Sequence, residues 1–364
     1  MPIEFAARIR RIPVYPVASG YELGADVAML ASNESPFGPL PVVVEAARRA
    51  LVGVNRYPDP SYASLRRALA DRYGIPPSRI AVGSGSCDIL LAAGEALLEP
   101  GAEVVYAWPA FSVYPHLAAA SGARAIEVPL DSCERHDLDA IAAEVTVATR
   151  LAVICNPNNP TSTALPLEHI EAFLERVPRH VCVILDEAYC EFALALGDPF
   201  ASLELLARWP NLVLLRTFSK VYGLAGLRVG YGLCGDERFC EAVDQVRQPF
   251  YLNAVAQAAA VEALKHQDAV EDRVTRTIAS RLALEEGVRG LGLSLADSEA
   301  NFVWVRLPDS DDQERDEVAV TRGLAERGVI VRAGAMLGQE GRLRVTVGTD
   351  VENARFVAAL GELL

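Results

Sequence analysis

From Pro41 to about Arg247 the chain alternates between two periodicities. Stretches such as Val42–Leu51 and Ser61–Tyr73 place apolar residues three and four apart, the repeat of a helix with one buried face. Between such stretches lie short, β-branched apolar runs, clearest at Glu103–Tyr106, Leu151–Cys155, Val181–Leu185, Leu212–Leu215 and Leu227–Leu233. Apolar strands separated by amphipathic helices predict a mostly parallel sheet buried between helical layers. Around Gln248–Phe250 the pattern changes. A long helical stretch is expected over Val255–Gly290, then strands at Asn301–Val305, Val329–Arg332 and Leu343–Val347, and a terminal helix from Val351. The first forty residues, punctuated by Pro13, Pro16, Gly20 and Ser35–Pro39, read as an extended arm and not as a packed element. The expected α/β organisation is a large domain over 41–249. A smaller α+β domain over 250–364 is completed by the arm, 1–40. Asp309–Glu317 is expected to be a solvated acidic loop.

Composition narrows the function. With 364 residues, 51% of them hydrophobic, the chain can bury a substantial core and is not a disordered polymer. No apolar run approaches the ~18 residues of a membrane span. Met1–Arg11 lacks the apolar centre of a secretion signal, so a cytoplasmic protein is expected. A net charge of −14 argues against general nucleic-acid binding. The seven cysteines are odd in number and scattered, with no C-x-x-C, and are expected to be reduced and structural. The five histidines show no metal-ligand spacing. Of the 34 basic residues only Lys220 and Lys265 are lysines, and arginine cannot serve as an imine-forming amine.

In an open α/β sheet, ligands bind at the carboxyl ends of the strands. Leu151–Cys155 is followed by Asn156-Pro157-Asn158-Asn159-Pro160-Thr161, and Val181–Leu185 by Asp186-Glu187-Ala188-Tyr189. Leu212–Leu215 is followed by Arg216-Thr217-Phe218-Ser219-Lys220 and then Gly223–Arg228. Each piece has a plain structural reading: a strand-end aspartate caps a helix, Asn-Pro makes a turn, a lone lysine is solvated. Together, on successive strands, they form a converging polar cluster. Lys220 falls in that cluster, whereas Lys265 lies in Glu262–His266, an ordinary helical surface context.

These segments, with Leu30–Glu34, Pro36–Pro39, Asn55–Asp59, Ala300–Phe302 and Leu343–Gly348, resemble the pyridoxal-phosphate (PLP) aminotransferases of fold type I. Within these they are similar to the histidinol-phosphate aminotransferase family. Two departures, Cys87-Asp88 for the family's frequent Asp-Glu and Ser162 for its frequent glycine, are features of a closely related aromatic amino-acid subgroup. Serine accepts positive φ less readily than glycine, so the second change is expected to alter a tight turn.

The resemblance implies PLP as cofactor, with Lys220 as the imine-forming lysine and proton shuttle. By the same resemblance, Asp186 is expected to pair with the pyridine nitrogen, Asn159 and Tyr189 with the ring hydroxyl, and Ala188 and Phe111 with the two ring faces. Phe111 also reads as a plain core aromatic. Gly83–Asp88 precedes a helix expected over Ile89–Leu98, and backbone N–H groups at a helix start suit an anion. Ser86, the Cys87 N–H, Ser219 and Arg228 are implied to hold the cofactor phosphate. Tyr57 is implied to reach it from a second subunit, so a homodimer with shared sites is expected. Asn33, Tyr15, Arg332 and Arg344 are implied substrate contacts; Arg332 and Tyr15 read equally well as strand-end or surface residues. The expected reaction is transamination of histidinol phosphate with 2-oxoglutarate in histidine biosynthesis. The alternatives are transamination of aromatic amino acids, a PLP decarboxylase of similar fold and a cofactor-free scaffold.

Overall fold

The computed structural model describes residues 3–5, 7–12, 26–308 and 316–364. The N-terminal segment enters with a short strand, β1 (Ala28–Met29). The apolar runs that follow become β2 (Ile80–Gly83), β3 (Glu103–Trp108), β4 (Arg124–Pro129), β5 (Thr149–Cys155), β6 (Cys182–Asp186), β7 (Leu212–Thr217) and β8 (Gly230–Cys234). They form one seven-stranded sheet in the order β2-β8-β7-β6-β5-β3-β4. All neighbours are parallel except β8, which runs antiparallel to both β2 and β7. Buried side chains pack against both faces of this sheet, which is why its strands read as continuous apolar runs. The last part of the chain adds β9 (Ser294–Leu295), β10 (Phe302–Arg306), β11 (Val329–Ile330), β12 (Arg332–Ala333) and β13 (Arg342–Thr346). Of these, β12-β13-β10-β9 form an antiparallel sheet over its own apolar cluster, in which Val303, Val345 and Phe356 are buried.

Five expectations are corrected. The helix after Gly83–Gly85 spans Ser86–Leu97, so Ser86 and Cys87 lie in its first turn and not in a loop before it. Val255–Gly290 is two helices, Ala254–Ala263 and Gln267–Gly290, because the chain tightens at Leu264–His266 and His266 leaves helical geometry (ψ 58°). Val329–Arg332 is not one strand. Val329–Ile330 pairs in parallel with β1, while Arg332–Ala333 pairs with β13. The arm therefore includes a packed element, since Ala28 and Leu30 are buried against the small sheet. Leu227–Leu233 begins as a turn, with Arg228 in the left-handed region (φ 56°), and becomes a strand only at Gly230.

Within the expected acidic loop, residues 309–315 lie outside those described. Glu317 is not solvated: it is buried, and its carboxylate accepts from the backbone N–H groups of Ala335 (2.7 Å), Gly341 and Arg342 (3.2 Å). The seven cysteines carry free thiols. No helix among the described residues is long and apolar enough to cross a membrane.

Candidate active site

The parallel strands end together, and their carboxyl ends open into a cavity of about 420 Å³. Asp186 is the last residue of β6, in register with Cys155 of β5 and Leu215 of β7, and is held on both sides by the ladder. Its carboxylate accepts from the Tyr114 phenol at 2.9 Å and from the Ala188 N–H at 3.2 Å. Burial, the dominant cause, raises its pKa to about 6 against the pull of those two hydrogen bonds.

Lys220 follows β7 in a loop closed by its own backbone. Gly223 donates to the Lys220 carbonyl (2.9 Å), Leu224 to that of Phe218 (3.0 Å), and Phe218 to that of Val229 (3.2 Å). Its Nζ lies 3.2 Å from the Ser32 carbonyl and 5.5 Å from the Tyr189 ring centre. Burial first, then the Arg344 guanidinium, lower its pKa to about 7. Lys220 is thus an amine that is largely neutral in mildly alkaline solution.

Asn159 sits in the turn after β5. The turn survives Ser162: the serine adopts φ 61°, its N–H donates to the Asn158 carbonyl at 2.8 Å, and its hydroxyl donates to the Thr161 carbonyl at 2.5 Å. Ser162 thus takes a positive φ that glycine adopts more readily, and its N–H and hydroxyl are both hydrogen-bonded there. Asn159 Oδ1 accepts from Arg344 Nη1 at 2.6 Å, so the donor end of its amide faces away from that arginine. Arg344 also donates to the Ala31 carbonyl (2.6 Å). Asn33, in the left-handed region at φ 52°, donates from Nδ2 to the Tyr189 phenol at 3.1 Å and is anchored to Thr346 of β13.

The helix Ser86–Leu97 points its first turn into the cavity. Its N-cap, Gly85 (φ 85°), offers no side-chain cap, so the initial N–H groups remain available to an anion. A Cβ on Gly85 would strike the Arg228 guanidinium, and one on Gly230 would strike the Ser86 nitrogen. Glycines thus let a cation pack directly on the positive end of a helix. Arg228 Nη1 also lies 3.4 Å from Ser219 Oγ. Two positive elements in contact create a cradle that an anionic phosphate completes.

The cavity brings together Asn33, Ser86, Cys87, Phe111, Asn159, Asp186, Ala188, Tyr189, Ser219, Lys220, Arg228, Arg332 and Arg344. Tyr57 is not among its lining; it is 81% exposed and stacks on Phe250 at 4.4 Å. Tyr15 lies outside the described residues. The sequence reading assigned no separate role to Glu34, Cys155 or Thr217, which also line the cavity. Cys155 and Thr217 end β5 and β7, so the strand-end rule could have included them; Glu34 directly follows Asn33. Tyr114, behind Asp186, carried no signal beyond its place three residues after Phe111.

The residues fit the expected cofactor: an uncapped helix end with an arginine for a phosphate, a buried carboxylate for a ring nitrogen, and a neutral amine for an aldehyde. Comparison with known proteins agrees. Residues 25–360 match the family described as aminotransferase class I and II. The chain is 44% identical over 332 residues to an aromatic amino acid aminotransferase of Thermobifida fusca, covering 91% of this chain and 88% of that protein. It is 42% identical over 344 residues to a histidinol-phosphate aminotransferase of Moorella thermoacetica, covering 94% and 87%. Among solved structures, the histidinol-phosphate aminotransferase from Sinorhizobium meliloti in complex with pyridoxal-5'-phosphate superposes with a TM-score of 0.84 at 30% identity, covering 99% of this chain and 97% of that one. The chain therefore belongs to the class I and II aminotransferases, PLP enzymes of fold type I.

Proposed function

We propose that this aminotransferase is a cytoplasmic, homodimeric enzyme acting on histidinol phosphate as amino donor and 2-oxoglutarate as acceptor, in histidine biosynthesis. The observation that carries this reading is the register of β12 and β13, in which Arg332 stands directly opposite Arg344 and both side chains line the cavity. Like charges opposite one another across a strand pair are unfavourable. A dianionic phosphate offsets that repulsion and uses both planar forks, whereas a single carboxylate is served by one. The chain is read as a large domain, 41–249, and a second unit of 1–40 with 250–364 that carries these arginines.

PLP, when bound, supplies an aldehyde that captures the donor amine and a ring that takes up the electrons released at Cα. The remaining work belongs to the chain. Backbone N–H groups of Ser86 and Cys87, with Ser219 and Arg228, hold the cofactor phosphate. Phe111 and Ala188 enclose the ring, and Asn159 and Tyr189 hydrogen-bond its hydroxyl. The Asp186 carboxylate, ionised above about pH 6, balances a protonated ring nitrogen. Lys220 Nζ would take the proton from the donor Cα and pass it to the carbon that was the cofactor's aldehyde, and would carry a proton the opposite way for the acceptor in the second half-reaction, a role suited to an amine with a pKa of about 7. Arg344 receives each substrate anion in turn, joined by Arg332 for the phosphate, and Asn33 and Tyr15 are the further proposed substrate contacts.

The test compares kcat/KM for histidinol phosphate and for phenylalanine with 2-oxoglutarate as acceptor. A preference of ~100-fold for the phosphate is expected, about 2.7 kcal/mol of transition-state discrimination. A preference for phenylalanine would make Arg344 a carboxylate clamp. That second reading, aromatic amino-acid transamination, is favoured by the name of the Thermobifida fusca relative.

A further inference from the structure

Behind the cavity lies a side chain to which the cofactor reading assigns nothing. Tyr114 opens the helix Tyr114–Ser121 and is fully buried. Its phenol donates to Asp186 Oδ2 at 2.9 Å, while the Ala188 N–H takes Oδ1 at 3.2 Å, so each carboxylate oxygen has a donor. Its ring meets that of Phe111 edge-on, at 5.8 Å and 90°, and lies 5.9 Å from that of Tyr106. Burying a phenol hydroxyl is costly without a partner, and here the partner is the carboxylate. Phenylalanine would fill the same space without that polar group.

We propose that Tyr114 is a positioning residue of the cofactor site, its hydroxyl aiming the Asp186 carboxylate and its ring backing Phe111. This rests on the reading of the cavity as the PLP site. The other titratable groups facing Asp186 are Cys155 of β5, Cys87 of the helix start, the adjacent Glu187, Tyr189 and Lys220. Burial pushes the Tyr114 phenol far above its usual range, so it remains a donor wherever the protein is folded. Its hydrogen bond is the foremost influence opposing the rise in the Asp186 pKa. Loss of the hydroxyl should therefore move Asp186 ionisation to higher pH.

The experiment titrates the full cofactor-free chain with PLP and reads the dissociation constant from the absorbance of the bound form. Tyr114→Phe should weaken PLP binding about tenfold, the lower end for a hydrogen bond to a charged group. The acid limb of binding should also shift to higher pH. In an Asp186→Asn background the same substitution should add nothing, because the partner it acts through is gone. Tyr114→Leu, which also removes the backing ring, should weaken binding further than Tyr114→Phe. In turnover, kcat should fall while KM for the donor stays within about twofold. An unchanged PLP dissociation constant in Tyr114→Phe overturns the proposal, as does an equal loss in the Asp186→Asn background. A wild-type chain that takes up no PLP overturns the cofactor reading itself, which separates the two failures.

Discussion

Lys220 owes its chemistry to where its amine sits. In water an alkylammonium is strongly hydrated; in this cavity burial and the Arg344 guanidinium disfavour the charged form, and the pKa falls to about 7. The neutral amine is the nucleophile, so its supply declines as pH drops through that value. The rate constant for PLP capture by the cofactor-free protein should therefore fall about tenfold per pH unit below 7 and level off above 8. Stopped-flow absorbance across pH 5–9 checks this, and a flat profile would remove Lys220 from the role. Lys220→Ala should form no covalent adduct with PLP and show no turnover, while its circular dichroism matches wild type. Ser162 illustrates the opposite balance: a residue poorly suited to φ 61° is kept there by hydrogen bonds to its neighbours.

Among the secondary-structure elements, the link between β12 and β13 governs where Arg332 and Arg344 point. Glu317, at the start of the helix Glu317–Glu326, turns its buried carboxylate onto three backbone N–H groups of residues 335–342. Glu134 adds a second tie, accepting from Arg342 Nη2 at 2.9 Å and Nε at 3.2 Å, two residues before Arg344. Glu317→Ala strands buried donors and should cost about 3 kcal/mol of stability, measurable as a lower urea midpoint with an unchanged slope. It should raise KM for the donor while leaving PLP affinity unchanged, since the cofactor cradle is built on β6, β7 and the helix Ser86–Leu97. A variant with wild-type KM would mean that the link does not set the arginines.

At the scale of the whole molecule, one stretch of the described residues carries several exposed apolar side chains. Val42, Val44, Leu51, Val52 and Val54 are exposed along and after the helix Pro41–Leu51, next to the Tyr57–Phe250 stack, and Val52 is 87% exposed. Exposed apolar side chains grouped along one stretch in this way suit an association surface. It fits the proposed dimer, in which Tyr57 serves the partner's phosphate cradle. Light scattering should give twice the chain mass of 39.2 kDa. Val52→Asp should yield monomers that hold PLP more weakly, whereas Tyr57→Phe should weaken PLP retention without dissociating the dimer. A monomeric wild type that retains PLP firmly would rule out the shared site.

Much of this was already written in local order along the chain. Periodicity disclosed the helices and the parallel sheet, and the residues just past each strand disclosed Asp186, Asn159 and Lys220, because strand ends and the turns after them are made by neighbours in sequence. Excluding arginine as an imine former reduced the reactive amine to one of two lysines. What periodicity could not contain were contacts between distant residues: Tyr114 with Asp186, 72 positions away, and Arg344 with Asn159, 185 away. The same holds for β1, whose partner β11 lies at the other end of the chain, and for the cross-strand placing of Arg332 against Arg344. Such pairs arise when packing brings separate elements together, and no pattern of neighbours encodes them. The composition of the site is thus a property of sequence, whereas its electrostatics, an amine made neutral and a carboxylate raised to about 6, come from burial that exists only once the chain has folded.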